Sequence, residues 1–197
     1  MWQRLVKQLG EDAVVMANVR VSDPYKDHEA DLVVLMPDSG IVVVEVKVSH
    51  VWVEDGAWYI QRGEGQDRIH PVDQARDAQY ALRHYVEADR RWGSRSRVRW
   101  GHHVVLAGTD LADDFAMPDL PRWRASGSND LTDLGTRLFD TTSLHQKDAR
   151  TPTRDDIDLI VDILGGRLLP TKDVTALADD REERAQRLTA EQANLLK

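Results

Sequence analysis

The stretch that decides the fold is Ile41-Val42-Val43-Val44-Glu45-Val46-Lys47-Val48. It is the most β-prone run in the chain, because β-branched residues favour a pleated, half-buried strand. A second run of this kind, Asp31-Leu32-Val33-Val34-Leu35-Met36, precedes it, and Pro37-Asp38-Ser39-Gly40 lies between them as a turn-forming segment. The sequence therefore predicts a pair of antiparallel strands joined by a short hairpin turn.

Helices and further strands are predicted on both sides of this hairpin from apolar periodicity and turn residues. The predicted strands are 13–21, 58–60 and 100–107, with a loop at 24–28. The predicted helices are 2–9, 71–85, 130–139 and 154–164. Thr153 and Asp155 are both candidate caps for the last helix. This order predicts an α/β fold with a mixed sheet flanked by helices.

Composition is that of a globular protein. The chain has 197 residues, 41% hydrophobic and 30% charged, which predicts one domain plus an appendage. No apolar run reaches the ~18 residues that a membrane helix needs, and the first residues lack the apolar core of a signal peptide, so we expect a cytoplasmic location and no membrane. The absence of cysteine excludes disulfides, cysteine catalysis and thiolate zinc sites. The net charge of -8 argues against strong autonomous binding to DNA.

Three charged side chains interrupt the two apolar strands. Residues two apart on a strand point to the same face, so Glu45 and Lys47 project together while Val44 and Val46 face the other way. Pairing through the hairpin turn brings Asp31 near Glu45. Two carboxylates and one amine then converge. Metal-assisted hydrolysis of a phosphodiester needs these groups: Mg²⁺ prefers oxygen ligands, and a lysine orients the attacking water or stabilises developing charge.

Simpler interpretations of the same residues stay open. An acid and a lysine two apart on a strand commonly form a solvent-facing ion pair, but here they interrupt the most apolar strand, where an unpaired charge is costly. Gln74 lies at the start of the long predicted helix. Its amide either binds the water or a phosphate near the site, or is an ordinary solvent-exposed side chain. Glu29 is either a further metal ligand or a charged strand end.

These residues resemble the nuclease-related domain family (NERD), a branch of the restriction-endonuclease-like PD-(D/E)xK superfamily. The similar segments are Glu29-Ala30-Asp31-Leu32-Val33-Val34, Ser39-Gly40-Ile41-Val42-Val43-Val44-Glu45-Val46-Lys47 and Pro71-Val72-Asp73-Gln74-Ala75. They fall in order within residues 1–107. The resemblance implies a restriction-endonuclease-like fold and a DNase that depends on Mg²⁺ or Mn²⁺.

The resemblance also implies roles for individual residues. Asp31, Glu45 and the backbone carbonyl of Val46 would bind the metal, Lys47 would serve the attacking water, and Gln74 would support them from the helix. The chain departs from the family in two places. The family usually carries a glutamate inside its first helix, whereas here the nearest acid is Glu11, just past that helix. The family often has glycine or asparagine after the lysine, where this chain has Val48.

The C-terminal part predicts a second module. Residues 1–170 are expected to form the nuclease-like domain, and the highly charged residues 171–187 a linker or helical extension. Residues 188–197 begin with Leu188-Thr189-Ala190-Glu191-Gln192, which resembles the opening of UvrD/Rep-like DNA helicases. The alternative is an ordinary helix. This resemblance implies a helicase domain in the same full-length chain, although residues 1–197 include no phosphate-binding loop of an ATPase.

Basic residues are the remaining candidates for contact with nucleic acid. Six arginines lie from residue 83 to residue 99. Four of them are candidates for contact with DNA, with a solvated helix end and loop as the alternative: Arg90, Arg91, Arg95 and Arg97. His102 and His103 are adjacent on a strand and face opposite ways, so they are not a metal pair.

The leading hypothesis is a Mg²⁺- or Mn²⁺-dependent DNA nuclease in a helicase–nuclease that acts in repair or in defence against foreign DNA. Three alternatives stay open. The first is a non-catalytic module that binds DNA or a partner, the second is a nuclease that acts on RNA, and the third is a domain that regulates a fused helicase.

Overall fold

The computed structural model of the chain describes residues 2–165. Eight strands are present in this part: β1 Val14–Ser22, β2 Asp27–Met36, β3 Gly40–Lys47, β4 Val51–Glu54, β5 Ala57–Arg62, β6 Gly65–Ile69, β7 Trp100–Leu106 and β8 Ala125–Gly127. The four α-helices are α1 Trp2–Gln8, α2 Pro71–Ala88, α3 Leu134–Leu144 and α4 Arg154–Gly165. The predicted linker, its helical extension and the helicase-like segment lie outside the described residues.

The main sheet has five strands in the order β1-β2-β3-β7-β8. The first three are antiparallel, whereas β3, β7 and β8 run parallel to one another. A parallel pair needs a crossover connection, and α2 lies in the connection between β3 and β7. The predicted mixed sheet is therefore confirmed.

Helices cover both faces of this sheet. On one face, Ala78, Leu82 and Val86 of α2 belong to the same core cluster as Val33 and Val43 of the sheet. On the other face, α1 and α3 pack through Leu5, Leu134 and Leu138 against the other side chains of β2 and β3. Both faces are buried, which explains why β3 is a nearly continuous apolar run rather than an alternating one.

A second, three-stranded antiparallel sheet, β4-β5-β6, lies in the chain between β3 and α2. The sequence predicted only the 58–60 part of β5. The other two strands carry weak signals, because β4 has four residues and most of β6 is exposed. Their turns use Asp55-Gly56 and Gly63 with positive φ, where glycine is favoured.

Two predicted boundaries change in the structure. The loop expected at 24–28 is shorter, because the Asp23 carboxylate accepts the N–H groups of Tyr25 and Lys26 and β2 already begins at Asp27. The helix expected to begin at Asp130 begins at Leu134 instead. Asp130 ends a 3₁₀ turn, where its carboxylate accepts the Gly127 N–H.

The last described helix begins as expected. Thr153 caps α4: its hydroxyl accepts the Asp156 N–H at 3.3 Å, and Asp156 Oδ2 accepts the Thr153 N–H at 2.8 Å. This reciprocal pair satisfies two backbone donors at the helix start.

Candidate active site

The two central strands separate at Asp31. Backbone pairing between β2 and β3 ends at Leu32 and Val44. Beyond it, the Val46 N–H donates to the Asp31 carboxylate Oδ2 at 2.7 Å. The Asp31 carboxylate thus replaces a backbone carbonyl of β2 as the acceptor for β3. On its other side, β2 continues to pair with β1 as far as Asp27. The sheet therefore opens between its central strands, with an acid at the opening.

The neighbouring strand bends at the same level. In β1, Asn18 adopts a left-handed backbone with φ 50°. It occupies the register position opposite Asp31, between the pairs that Ala17 and Val19 form with β2. An asparagine tolerates this conformation better than most residues do. The distortion in β1 thus coincides with the place where β2 leaves β3.

Glu45 and Lys47 project from β3 beside this opening. Lys47 Nζ donates to Glu45 Oε1 at 2.5 Å; the Lys47 side chain is 16% exposed and the Glu45 side chain 7%. Continuing the β2–β3 register by one residue places Asp31 opposite Glu45. The structure therefore brings together the three residues that the sequence singled out.

The electrostatic environment of Glu45 is unfavourable to its charge. Burial raises the pKa of Glu45; the hydrogen bond from Lys47 opposes this effect, and the charges of Asp31 and Glu29 reinforce it. A buried carboxylate with a single lysine partner is thus held close to two other acids. A bound cation would relieve this repulsion.

The donor set is compatible with Mg²⁺ or Mn²⁺. Within residues 2–165, no group of three or more histidine, aspartate or glutamate side chains converges as a metal site. Mg²⁺ does not require such a group, because it commonly uses one or two carboxylates with waters and substrate phosphates. Asp31 and Glu45 supply two carboxylates. The N–H and C=O of a strand residue point to the same side, so the Val46 carbonyl is directed to the opening that Asp31 occupies.

A cleft of about 470 Å³ lies beside Lys47. Its walls are residues 46–49, at and after the end of β3, and residues 60–63 from β5 and the turn that follows it. The three-stranded sheet, which the sequence largely missed, therefore forms one side of the approach to the candidate site.

The predicted supporting residues are placed less closely. Gln74 is exposed in the first turn of α2 and makes no side-chain hydrogen bond within residues 2–165. Glu29 is held by Arg20 at 2.9 Å on the β1–β2 ribbon. Glu11 is exposed in the turn before β1, beside Asp12, which pairs with Arg154 of α4. Glu29 influences Glu45 electrostatically, whereas Glu11 is not brought to the opening.

The predicted arginine strip is largely neutralised by acids. Arg91 pairs with Asp89 and Asp162. The Arg95 side chain lies 3.4 Å from the Asp156 carboxylate, and the Arg97 side chain lies 3.2 Å from that of Glu87. Arg90 is exposed and forms no ion pair within the described part of the chain. Three of the four arginines thus already have anionic partners.

The adjacent histidines face opposite ways, as predicted. His103 is fully buried between Thr141 and Ser126, 2.9 Å from each hydroxyl. His102 points to the other face and accepts a hydrogen bond from Arg124 at 2.8 Å. Burial, reinforced by neighbouring cations, lowers the pKa of each histidine to about 3, so both are neutral at pH 7.

A mixed α/β sheet with this topology, covered by helices on both faces, is consistent with an α/β nuclease-like fold. Comparison with protein families gives a match to the nuclease-related domain (NERD) over residues 2–107, more than half of the chain. The chain belongs to this family, which indicates a nuclease-related function. The comparisons with curated proteins and with solved structures gave no significant match. No helix in the described region is both long and apolar enough to cross a bilayer.

Proposed function

We propose that the protein hydrolyses DNA phosphodiesters with Mg²⁺ or Mn²⁺ at the site formed by Asp31, Glu45 and Lys47. The observation that carries this proposal is the opening between β2 and β3, where the Asp31 carboxylate replaces a backbone partner of Val46. The buried ion pair between Glu45 and Lys47 lies beside the same opening.

The chain's own residues have distinct parts in this proposal. Asp31, Glu45 and the Val46 carbonyl would hold the metal, which when bound makes a water more acidic and neutralises charge on the phosphate. The Lys47 ammonium, which lies next to Glu45 and at the cleft wall, would orient the attacking water and donate to phosphate oxygens. Gln74, exposed at the start of α2, would bind the water or a phosphate oxygen through its amide.

We further propose, from the helicase-like segment at 188–197, that the domain acts together with a DNA helicase in the same full-length chain, in repair or in defence against foreign DNA. The segment lies outside the described residues, so this proposal rests on the sequence alone.

A second candidate is a non-catalytic module that binds nucleic acid and regulates a fused helicase. The net charge of -8 and the existing Lys47–Glu45 ion pair favour this alternative. It predicts binding without cleavage, which separates it from the nuclease.

The test is cleavage of end-labelled single- and double-stranded DNA by the 197-residue chain in EDTA, Mg²⁺ or Mn²⁺, with labelled RNA as a competitor. The variants are Glu45→Ala and Lys47→Ala. Matched controls are Glu54→Ala and Lys7→Ala, which remove the same charges from exposed positions. We expect metal-dependent cleavage that is lost in the first two variants and kept in the controls. Normal binding without any cleavage would instead support the binding module.

A further inference from the structure

One flank of α2 faces a group of basic and aromatic side chains that the proposed catalytic site does not use. Arg76, Gln79, Tyr80 and Arg83 recur at i, i+3, i+4 and i+7, so they form one stripe along the helix. Arg83 lies over the Tyr80 ring at 5.0 Å. Electrostatic coupling places this stripe beside β7, the turn before β8 and the residue after α3: Arg76 acts on His102, Tyr80 on Arg124 and Arg83 on His145.

Those adjacent residues contact one another directly. Arg124 stacks over the Trp123 ring at 4.8 Å and donates through Nη1 to His102 Nε2 at 2.8 Å. The rings of His102 and His145 meet edge to face at 5.7 Å. Arg83, His102, Arg124 and His145 are called the arginine–histidine cluster below.

The cluster contains buried polar atoms without partners. A guanidinium can only donate, so His102 Nε2 is the acceptor and its ring proton lies on Nδ1. This Nδ1–H has no acceptor within the described residues, nor has the buried Nε–H of Arg124. Outside the cluster, on the adjacent α2 stripe, the fully buried Gln79 leaves both ends of its side-chain amide unpaired within the described residues. Buried donors normally have acceptors, so this part of the fold is short of acceptor groups. The orphaned atoms are themselves closed to solvent, and a ligand would contact the more exposed guanidinium N–H groups of Arg83 and Arg124.

The charges of Arg83 and Arg124 also favour an anionic ligand. Neither Arg83 nor Arg124 forms an ion pair with a carboxylate in residues 2–165, although the chain carries a net charge of -8. By contrast, Arg91, Arg95 and Arg97 are all paired with acids. Arg124 is also half-buried, where an unpaired charge is costly. A guanidinium of this kind matches the oxygens of a phosphate group.

We propose that the arginine–histidine cluster binds a phosphate group of the nucleic-acid substrate. This inference rests on the proposed function, because it assigns a second contact to the same substrate. His102 of β7 lies opposite Val43 of β3 in the sheet. Val43 is two residues before Glu45, so the side chains of His102 and Glu45 project from the same face of the sheet. Neutral His102 positions Arg124, and Trp123 and Tyr80 hold the planes of the two guanidinium groups.

The test measures binding without cleavage. Anisotropy of a labelled single-stranded oligonucleotide is followed with the 197-residue chain in EDTA across a range of salt concentrations. We expect Arg124→Gln and Arg83→Gln each to weaken binding by about tenfold and to reduce the salt slope by about one, as the loss of one phosphate contact does. Arg4→Gln, at an exposed position on α1, is the matched control and keeps the wild-type affinity and slope.

Oligonucleotides with a 5′-phosphate and with a 5′-hydroxyl distinguish two sources of the phosphate. Preference for the phosphorylated end that is lost in both variants assigns the cluster to a terminal phosphate. Equal affinity, weakened equally in the variants, assigns it to the strand backbone.

Wild-type affinity and salt slope in Arg83→Gln would overturn the proposal, as would a wild-type chain that does not bind. Arg83 is partly exposed and lies on the helix surface, so this variant gives a result even if Arg124→Gln does not fold. EDTA separates this test from the proposed catalysis: a chain that binds through the cluster but never cuts DNA contradicts only the proposed function.

Discussion

Two buried carboxylates in this protein have opposite electrostatic environments. Asp156, at the start of α4, is 2% exposed; its carboxylate accepts from Arg150 and from the hydroxyl and N–H of Thr153, and Arg95 lies near it. The hydrogen bonds from Arg150, with those from Thr153, lower the pKa of Asp156 to about 2. Glu45 is 6% exposed and has only Lys47 as a hydrogen-bond partner in residues 2–165. Burial raises its pKa.

The difference separates a structural carboxylate from a candidate functional one. Asp156 has its stabilising partners inside the fold, so its charge contributes to stability. Glu45 is buried near Asp31 and has too few partners for its charge. Groups whose environment disfavours their charged state are enriched at functional sites. The comparison therefore predicts that Glu45 matters for a bound ligand and Asp156 for the fold.

We expect the strongest change in the rate of DNA cleavage by the Glu45→Gln variant. This substitution removes the negative charge of the side chain and keeps its shape. We expect cleavage to fall by about 10²–10³-fold, as for other single electrostatic contributors to catalysis. The free energy of unfolding should change by less than about 1 kcal/mol, because relief of the buried Glu45 charge is offset by the loss of the anionic partner of Lys47. Initial rates and urea unfolding measure both. A large loss of stability with unchanged cleavage would reverse the assignment.

Asp156→Asn should show the opposite pattern. Replacing a carboxylate with a pKa of about 2 should lower the free energy of unfolding by about 2–3 kcal/mol. Cleavage per folded molecule should stay within about twofold of wild type. Urea unfolding followed by tryptophan fluorescence, with rates measured well below the transition, gives both values. Unchanged stability would mean that this network of partners contributes little.

The pH dependence of the two variants should also differ in sign. The stability that Asp156 contributes is present above the ordinary aspartate pKa of about 3.9 and is lost as pH falls through about 2. The advantage of wild type over Asp156→Asn should therefore shrink on acidification. The raised pKa of Glu45 acts the other way: wild type should lose stability relative to Glu45→Gln as pH rises above the ordinary glutamate pKa of about 4.3. Urea unfolding from pH 2 to 7 checks both trends.

The smallest expected effect concerns arginines that already have partners. Arg97→Gln removes a half-exposed ion pair with Glu87, and such pairs contribute about 0–1 kcal/mol. We expect the free energy of unfolding to fall by at most about 1 kcal/mol, and the oligonucleotide affinity in EDTA to change by less than about twofold. A tenfold loss of oligonucleotide affinity would instead support the predicted contact between Arg97 and DNA.

Much of the central sheet could be predicted because its signals are local. The apolar run of β3 and the turn after Met36 set the β2–β3 register, and alternation along β3 places Glu45 and Lys47 on one face. The separation of β2 at Asp31 could not be predicted this way, since it depends on a side chain replacing a backbone acceptor.

Other features have no local signal. β6 is mostly exposed and polar, so it has no apolar alternation. The arginine strip looked available in sequence because Asp162, a partner of Arg91, lies 71 residues away. The side chains of the arginine–histidine cluster come from four separate parts of the chain: α2, β7, the turn before β8 and the residue after α3. Only the fold brings these side chains together.

The most direct test of the proposed metal site is Mn²⁺ binding, followed as the loss of the free-ion EPR signal. We predict one Mn²⁺ per 197-residue chain, with affinity reduced at least about tenfold in Asp31→Asn and Glu45→Gln and unchanged in Asp156→Asn. Equal Mn²⁺ binding by wild type and by the Asp31 and Glu45 variants would contradict the assignment of the β2–β3 opening as the metal site.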